Sequence, residues 1–314
     1  MKEQLYTRTE RGLKKSERQE AFPELSVSGL FSYTIKSCRG TLLSSAEIVP
    51  RGIKGDRELA VRLKSTGEAM TQREFPKLAR ILPTVLSEDT LLLQAPTMPD
   101  VPDLAVTMSE KGTLLNTTMT IAKDTVPTVD QGEEVAAWLK QVLELKAEEE
   151  CSLVKMVDTY KRPVDVTFGE ENDEVSLADG YALLLTSEGS LEELNKIQGP
   201  NATPMNRFRT NIVIKGPAYF EDRLRKIKIG DVLFKVCKPC LRCSITLKDQ
   251  ETGEKDKEPL KSLSTTRRGQ LSTGDKGVVF GQNLIPLNKG TIQVGDRIEI
   301  LELADEPNFI PLNK

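Results

Sequence analysis

The chain has 314 residues, 38% hydrophobic and 29% charged, enough for two domains of about 150 residues, each with its own core. The net charge of −3 and pI near 5.5 lack the basic footprint of a dedicated nucleic-acid binder, but leave room for a local basic pocket. The absence of histidine excludes a Ser-His-Asp triad, a Cys-His protease, a histidine-held catalytic metal and a Cys/His zinc finger. Acid–base work falls to Asp, Glu, Lys, Tyr, Cys or a bound cofactor. Five cysteines are too few for a disulfide scaffold, and no apolar run approaches the ~20 residues of a membrane span. The first residues show no apolar signal core and carry Glu3, Glu10, Glu17 and Glu20, which transit peptides avoid. A reducing, cytoplasmic setting is expected.

In chain order, residues 1–24 read as a polar extension. Strand signals begin at LSVSGLFSYTI and continue through Glu58–Leu63, Arg80–Leu86, Thr90–Ala95 and Asp103–Met108, separated by turn-forming stretches such as Ser65-Thr66-Gly67. Short strands at near-regular spacing predict a small antiparallel barrel or sandwich. DQGEEVAAWLKQVLEL then reads as a helix with Val135, Trp138, Leu139, Val142 and Leu145 on one face. Asp130 and Glu133 are expected to form its capping box, and Trp138 to pack in the core. A domain boundary is expected near residues 148–165.

The second half opens with a buried strand over Tyr181–Leu185, running into a helix capped by Ser190 with Glu193 three residues on. Such a strand-to-helix turn either holds an anion or simply caps the helix. RFRTNIVIKG reads as two arginines before a strand, and GDVLFKVCKPCLRCSITLKD as strand, cysteine loop, strand. GVVFGQNLIPLNKGTIQVGDRIEIL reads as two closing strands joined through Gly290 and Gly295. The tail ADEPNFIPLNK is expected to pack on the barrel or fray.

Cys237, Cys240 and Cys243 fall within seven positions. A four-ligand zinc or iron–sulfur site would need a distant thiol or a carboxylate, because the fourth cysteine of a ferredoxin run would fall at Leu247. A CxxC redox pair usually sits at a helix N-terminus, whereas these flanks read as strands. A single thiolate ligating a metal already held by cofactor sulfurs is a third reading. It would need cations for the cofactor's phosphate, which Arg207, Arg209 and Arg242 can supply. Three structural cysteines with no ligand is the fourth.

Across residues 25–303 the chain resembles the two-domain MOSC proteins, and among them the mitochondrial amidoxime reducing components and bacterial N-hydroxylated-base reductases. The resemblance rests on TIKSCRG, GDREL and MTQREFP, then on LLLTSEGSLEELN, RFRTNIVI, CLRCSITLKDQETGE, VFGQN and KGTIQVGDRIEIL. It implies a mainly β (α+β) fold, with an N-terminal β-barrel-like domain over 25–150, a MOSC β-barrel domain with a few helices over 151–303, and a tail over 304–314. It implies a molybdenum–pyranopterin (molybdopterin) cofactor between them, with Cys243 as metal ligand. Arg242, Arg209 and Asn211 are expected to contact the cofactor, as are Lys36, Ser37 and Arg57 from the first domain and Ser187 and Ser190 from the second. Thr210 stands where the family has proline, which loosens a φ-restrained bend, and Cys237 is an additional thiol.

The activity so implied is reduction of N-hydroxylated small molecules such as amidoximes, hydroxylamines and N-hydroxy bases. The competing reading within the same superfamily is a molybdenum-cofactor carrier or sulfur-transfer module. No intrinsic Fe–S cluster, flavin or haem is expected. Electrons would come from an external donor, a flavin reductase, with a cytochrome b5 or ferredoxin-type carrier if needed. No nucleic acid and no membrane span are expected.

Overall fold

The structure, a computed structural model, describes residues 22–108, 116–200 and 202–312. It is mainly β, with three α-helices among the described residues, Glu133–Leu143, Glu188–Gln198 and Leu260–Thr266. The largest sheet runs in the order Ile298–Leu303, Leu224–Ile229, Val232–Leu241, Lys276–Pro286, Leu183–Ser187, Ile212–Lys215, Ser26–Ser32, Thr41–Leu43. Its neighbours are antiparallel except for Leu183–Ser187 beside Ile212–Lys215. That parallel pair needs a crossover, and the helix Glu188–Gln198 lies within it. A four-stranded sheet runs Leu59–Leu63, Cys151–Met156, Asp124–Asp130, Asn116–Ile121. Two three-stranded sheets complete the fold, one of Leu82–Val85, Thr90–Gln94 and Leu104–Thr107, the other of Gly290–Gln293, Ser45–Val49 and Gly52–Ile53.

The halves exchange strands. Ser26–Ser32 pairs with Ile212–Lys215 of the second half, and Gly290–Gln293 pairs with Ser45–Val49 of the first. Cys151–Met156 bonds to Leu59–Leu63 and Asp124–Asp130, so the chain leaves the first half's sheet only after Met156. One apolar core, including Leu30, Ile48, Ile212, Ile227, Phe234 and Leu284, lies under the large sheet. Another, including Ile35, Val61, Leu78, Leu93, Trp138 and Leu153, fills the first half.

Within helix Glu133–Leu143, Val135, Trp138, Leu139 and Val142 are buried as the period predicts. Trp138 sits in that core, and its Nε1 donates to the Pro102 carbonyl at 2.7 Å. The expected capping box does not form. Asp130 ends a strand, and its carboxylate accepts the Gly132 N–H at 2.9 Å, one residue short of the helix. The tail packs on the fold: Ile310–Pro311 pairs with Arg268–Gln270, and Phe309 is buried with Leu271 and Val279.

The cysteine stretch is not a loop. Val232–Leu241 is one continuous strand carrying Cys237 and Cys240. The register against Lys276–Pro286 shifts between Val236 and Lys238 and again between Pro239 and Leu241. Each cysteine thus occupies a skipped, bulged position, and bulges re-aim side chains. Following the strand, SITLKD forms a short 3-10 turn over Ser244–Leu247 rather than a strand. The closing stretch makes three strands, not two.

Candidate functional site

One cleft between the halves is lined by Lys36, Ser37 and Arg57 from the first and by Arg209, Asn211, Cys240, Arg242 and Cys243 from the second. Seven of the nine site residues expected from sequence meet there. Three of them, Ser37, Arg57 and Arg209, hold positive φ values of 66°, 53° and 55°. A left-handed conformation is uncommon for non-glycine residues and persists only where surrounding contacts enforce it.

Those contacts are visible. The Tyr33 ring is buried between two guanidinium groups, with Arg57 at 4.4 Å and Arg209 at 4.3 Å from its centroid. Its hydroxyl donates to the Thr210 carbonyl at 3.2 Å. A Cβ on Gly40 would come within 2.4 Å of this ring, so glycine lets the tyrosine sit here. Arg57 pairs with buried Asp56 and donates to Asn211 Oδ1 at 3.1 Å and to the Arg209 carbonyl at 3.1 Å. Asn211 Nδ2 donates to the Phe31 carbonyl at 3.1 Å. This amide therefore ties the halves together and orients Arg57. Thr210, in place of proline, is fully buried, and its hydroxyl donates to the Leu184 and Ile212 carbonyls at 3.0 and 3.2 Å. Side-chain hydrogen bonds hold the bend that a proline ring would restrain.

Arg209 Nη1 donates to the Cys38 carbonyl at 2.6 Å and to Gln250 Oε1 at 3.0 Å. Gln250 and Gln72 exchange amide hydrogen bonds across the halves at 2.9 and 3.1 Å. Burial first, and then the neighbouring Arg57 guanidinium, pull Arg209 down to about 10, so it remains cationic at neutral pH. Arg242 Nη1 donates to Cys240 Sγ at 2.9 Å and Nη2 to the Phe208 carbonyl at 2.6 Å. Arg209 Nη2 and Arg242 Nε are buried with no hydrogen-bond partner. A buried donor left unpaired costs about 1–3 kcal/mol, so an acceptor that reached these two nitrogens would be stabilising. At its rim, buried Lys36 ion-pairs with Asp179. Burial lowers the Lys36 amine, while that amine holds the Asp179 carboxyl well below the usual carboxylate range.

Cys243 heads the 3-10 turn, partly exposed, and Cys240 lines the same cleft. Cys237 does not. It packs against Val164, Val175, Tyr181 and Ile285, and burial pushes its thiol up to about 12. Arg207 also stays outside the lining, bonding to the Thr246 carbonyl at 3.4 Å and facing Asp249 at 3.6 Å.

Ser187 and Ser190 are not brought to the cleft. Ser187, at the helix cap position, donates from Oγ to the Gly216 carbonyl at 3.2 Å. Ser190 lies inside the helix, donates to Glu221 Oε1 at 2.6 Å and accepts the Tyr219 N–H at 2.8 Å. The helix start is covered by chain: a Cβ on Gly189 would meet the Gly216 carbonyl oxygen at 2.4 Å.

Glu221 is 1% exposed, and burial, then the adjacent Asp222 carboxylate, push it up to about 7. Asp222 is itself buried and paired with Arg267 at 2.5 Å. The folded chain keeps a proton on Glu221 that the unfolded chain releases above the ordinary carboxylate range. Stability is therefore full below that range and falls as pH rises toward about 7. Melting temperature is expected to drop between pH 5 and 8 in the wild type and to be flatter in Glu221→Gln. An equal drop in both would assign the effect elsewhere.

Sequence reasoning missed Asp179 and Tyr33. Asp179 gave no motif signal beyond LADG, and Tyr33 precedes the quoted TIKSCRG.

The chain matches the MOSC N-terminal beta barrel domain over residues 24–146 and the MOSC domain over residues 172–299. Mitochondrial amidoxime-reducing component 1 of Mus musculus is 34% identical over 289 residues, covering 88% of this chain and 82% of that protein. The protein of the same name from Homo sapiens is 31% identical over 288 residues, with 88% and 83% covered. Molybdenum cofactor sulfurase of Danio rerio is 32% identical over 271 residues, and the match spans 79% of this chain but only 31% of the sulfurase.

Proposed function

We infer that this chain, which belongs to the family of two-domain MOSC proteins that includes the mitochondrial amidoxime-reducing components, is a molybdenum-cofactor-dependent reductase of N-hydroxylated compounds. The observation that carries this reading is the cleft itself. Lys36, Arg57, Arg209 and Arg242 surround two thiols there, and two buried guanidinium nitrogens lack partners. Anionic phosphate fits guanidinium donors, and molybdenum fits thiolate sulfur.

Cys243 would hold the metal as its single protein ligand. Arg209 and Arg242 would bind the cofactor's phosphate through their unpaired N–H groups. Tyr33, Arg57 and Asn211 act indirectly by fixing Arg209. When bound, the cofactor supplies the two-electron chemistry that N–O cleavage requires. The net reaction converts an N-hydroxy group, two electrons and two protons into N–H and water. Lys36 Nζ, ion-paired with Asp179 at the cleft mouth, would deliver those protons one at a time and be reprotonated from solvent, with the Asp179 carboxylate holding the ammonium in place. All five cysteines are free, which suits a reducing, cytoplasmic setting. Among the described residues no helix is long and apolar enough to cross a membrane.

The electrons would come from outside, from a flavin reductase, with a cytochrome b5 or ferredoxin-type carrier if needed. Holoenzyme is therefore expected to reduce benzamidoxime with reduced viologen but not with NADH alone. NADH turnover should appear when the reductase is added and should fall as salt rises, as in charge-steered encounters. Robust turnover with NADH alone would overturn the external-donor reading. Failure with reduced viologen, together with ready transfer of the cofactor to an apo-enzyme, would favour the carrier reading to which the sulfurase relatives also point.

A further inference from the structure

Beside the cleft lies a second cavity of about 650 Å³, within the usual size of small-molecule sites. It shares Asp179, Gly180, Tyr181, Cys240, Leu241 and Asn283 with the cleft. A molecule seated in it therefore touches the wall that carries the Cys240 thiol. Its remaining walls include apolar Pro163, Val164, Val166 and Pro239, with Val166 66% exposed at the rim.

Its charges are unevenly placed. At the cleft end stands Asp179, its side chain 66% exposed, governed by Lys36 and more weakly by Arg73 and Arg57. Away from the cleft stand two lysines. Lys123 is exposed on the two-residue hairpin tip that joins Asn116–Ile121 to Asp124–Asp130. The Lys238 ammonium lies 5.2 Å from the Phe168 ring centroid and 5.6 Å from that of Tyr181. Both lysines act on the same carboxylate, Asp165, which already accepts the Thr167 N–H at 2.9 Å. Two cations thus share one anion. Arg162, also in the wall, is committed to Asp124 at 2.8 Å and to the Ser176 and Ala178 carbonyls. Tyr181, only 8% exposed, has its hydroxyl buried without a hydrogen-bond partner. The result is a partly apolar cavity with a carboxylate at the cleft end and, away from it, two lysines that share one carboxylate.

We propose that this cavity seats the body of the substrate and selects N-hydroxylated compounds that carry a carboxylate remote from the N–O group. The inference rests on the reductase reading. Asp179 accepts from the N–H groups of the amidine end, the apolar walls cover the ring, and Lys238 with Lys123 takes the remote carboxylate.

Two measurements on the holoenzyme test it. One is turnover of 4-carboxybenzamidoxime against benzamidoxime with reduced viologen. The other is calorimetric binding of the unreactive amidines, 4-carboxybenzamidine against benzamidine. Wild type is expected to favour the carboxylated member about fivefold in KM and in Kd, the scale of a partly exposed charge pair. Lys123→Ala combined with Lys238→Ala should abolish the preference while leaving kcat for benzamidoxime unchanged. Equal binding of the two amidines by wild type, or a preference that survives the double substitution, overturns the proposal. A binding preference that the double substitution removes, with no turnover of either amidoxime, would uphold the cavity's selectivity and overturn the reductase reading instead.

Discussion

Cys243→Ala is expected to fold, to purify with little molybdenum, and to lose activity on benzamidoxime by about 100-fold or more. Loss of a mere supporting contact in a metal site costs 10–100-fold, and Cys243 would be the metal's only protein ligand. Fold retention is expected because Cys243 is partly exposed at the head of a 3-10 turn, outside the apolar cores. Cys237→Ala is the control. That thiol is partly buried against apolar side chains outside the cleft and bonds to the Asn283 carbonyl at 3.3 Å, so metal content should stay near one per chain. Elemental analysis of each variant, expressed in cells that make the cofactor, reads the result. Stoichiometric zinc with no molybdenum in the wild type would sink the assignment, as would full molybdenum in Cys243→Ala.

Arg209→Ala combined with Arg242→Ala should lower cofactor affinity by about 100-fold or more, since each charge-assisted hydrogen bond contributes about 1.5–3 kcal/mol. Lysine at either position should rescue poorly, because an ammonium cannot reproduce the guanidinium fork. The two arginines also have structural duties. Arg209 Nη1 bonds to Cys38 and Gln250, and Arg242 Nη2 to the Phe208 carbonyl. Circular dichroism and melting of the apo-proteins must therefore accompany the occupancy measurement. A folded double variant with full occupancy would show that the phosphate is held elsewhere.

The two proposals differ in how much of them the sequence made visible. Cys243, Arg242 and Arg209 lie in local motifs, and their chemistry follows from residue type: soft sulfur for the metal, fixed forks for phosphate. Five strands of the first half, Ser26–Ser32, Leu59–Leu63, Leu82–Val85, Thr90–Gln94 and Leu104–Thr107, and the Trp138 helix were also legible, because periods of two and of 3.6 residues report burial directly. Ser187 and Ser190 were misplaced for a different reason. A hydroxyl near a helix start has the same local signature whether it faces a ligand or a carbonyl, and only the packing of Gly216–Ala218 over Gly189 decides between them. The capping box failed likewise, since Asp130 belongs to a strand that the helix sequence does not reveal.

The amino-acid sequence by itself determined the mainly β character, the exclusion of histidine chemistry, the thiols and arginines offered to a ligand, and the resemblance that names a cofactor for them. Only the tertiary structure decided which of those residues meet. Tyr33, between Arg57 and Arg209, is separated from Arg209 by 176 positions, and Lys36 from Asp179 by 143. Contacts at such separation depend on strand exchange between the halves, and two bulges decide where Cys237 and Cys240 turn. These are outcomes of packing and register, which no local pattern of side chains encodes.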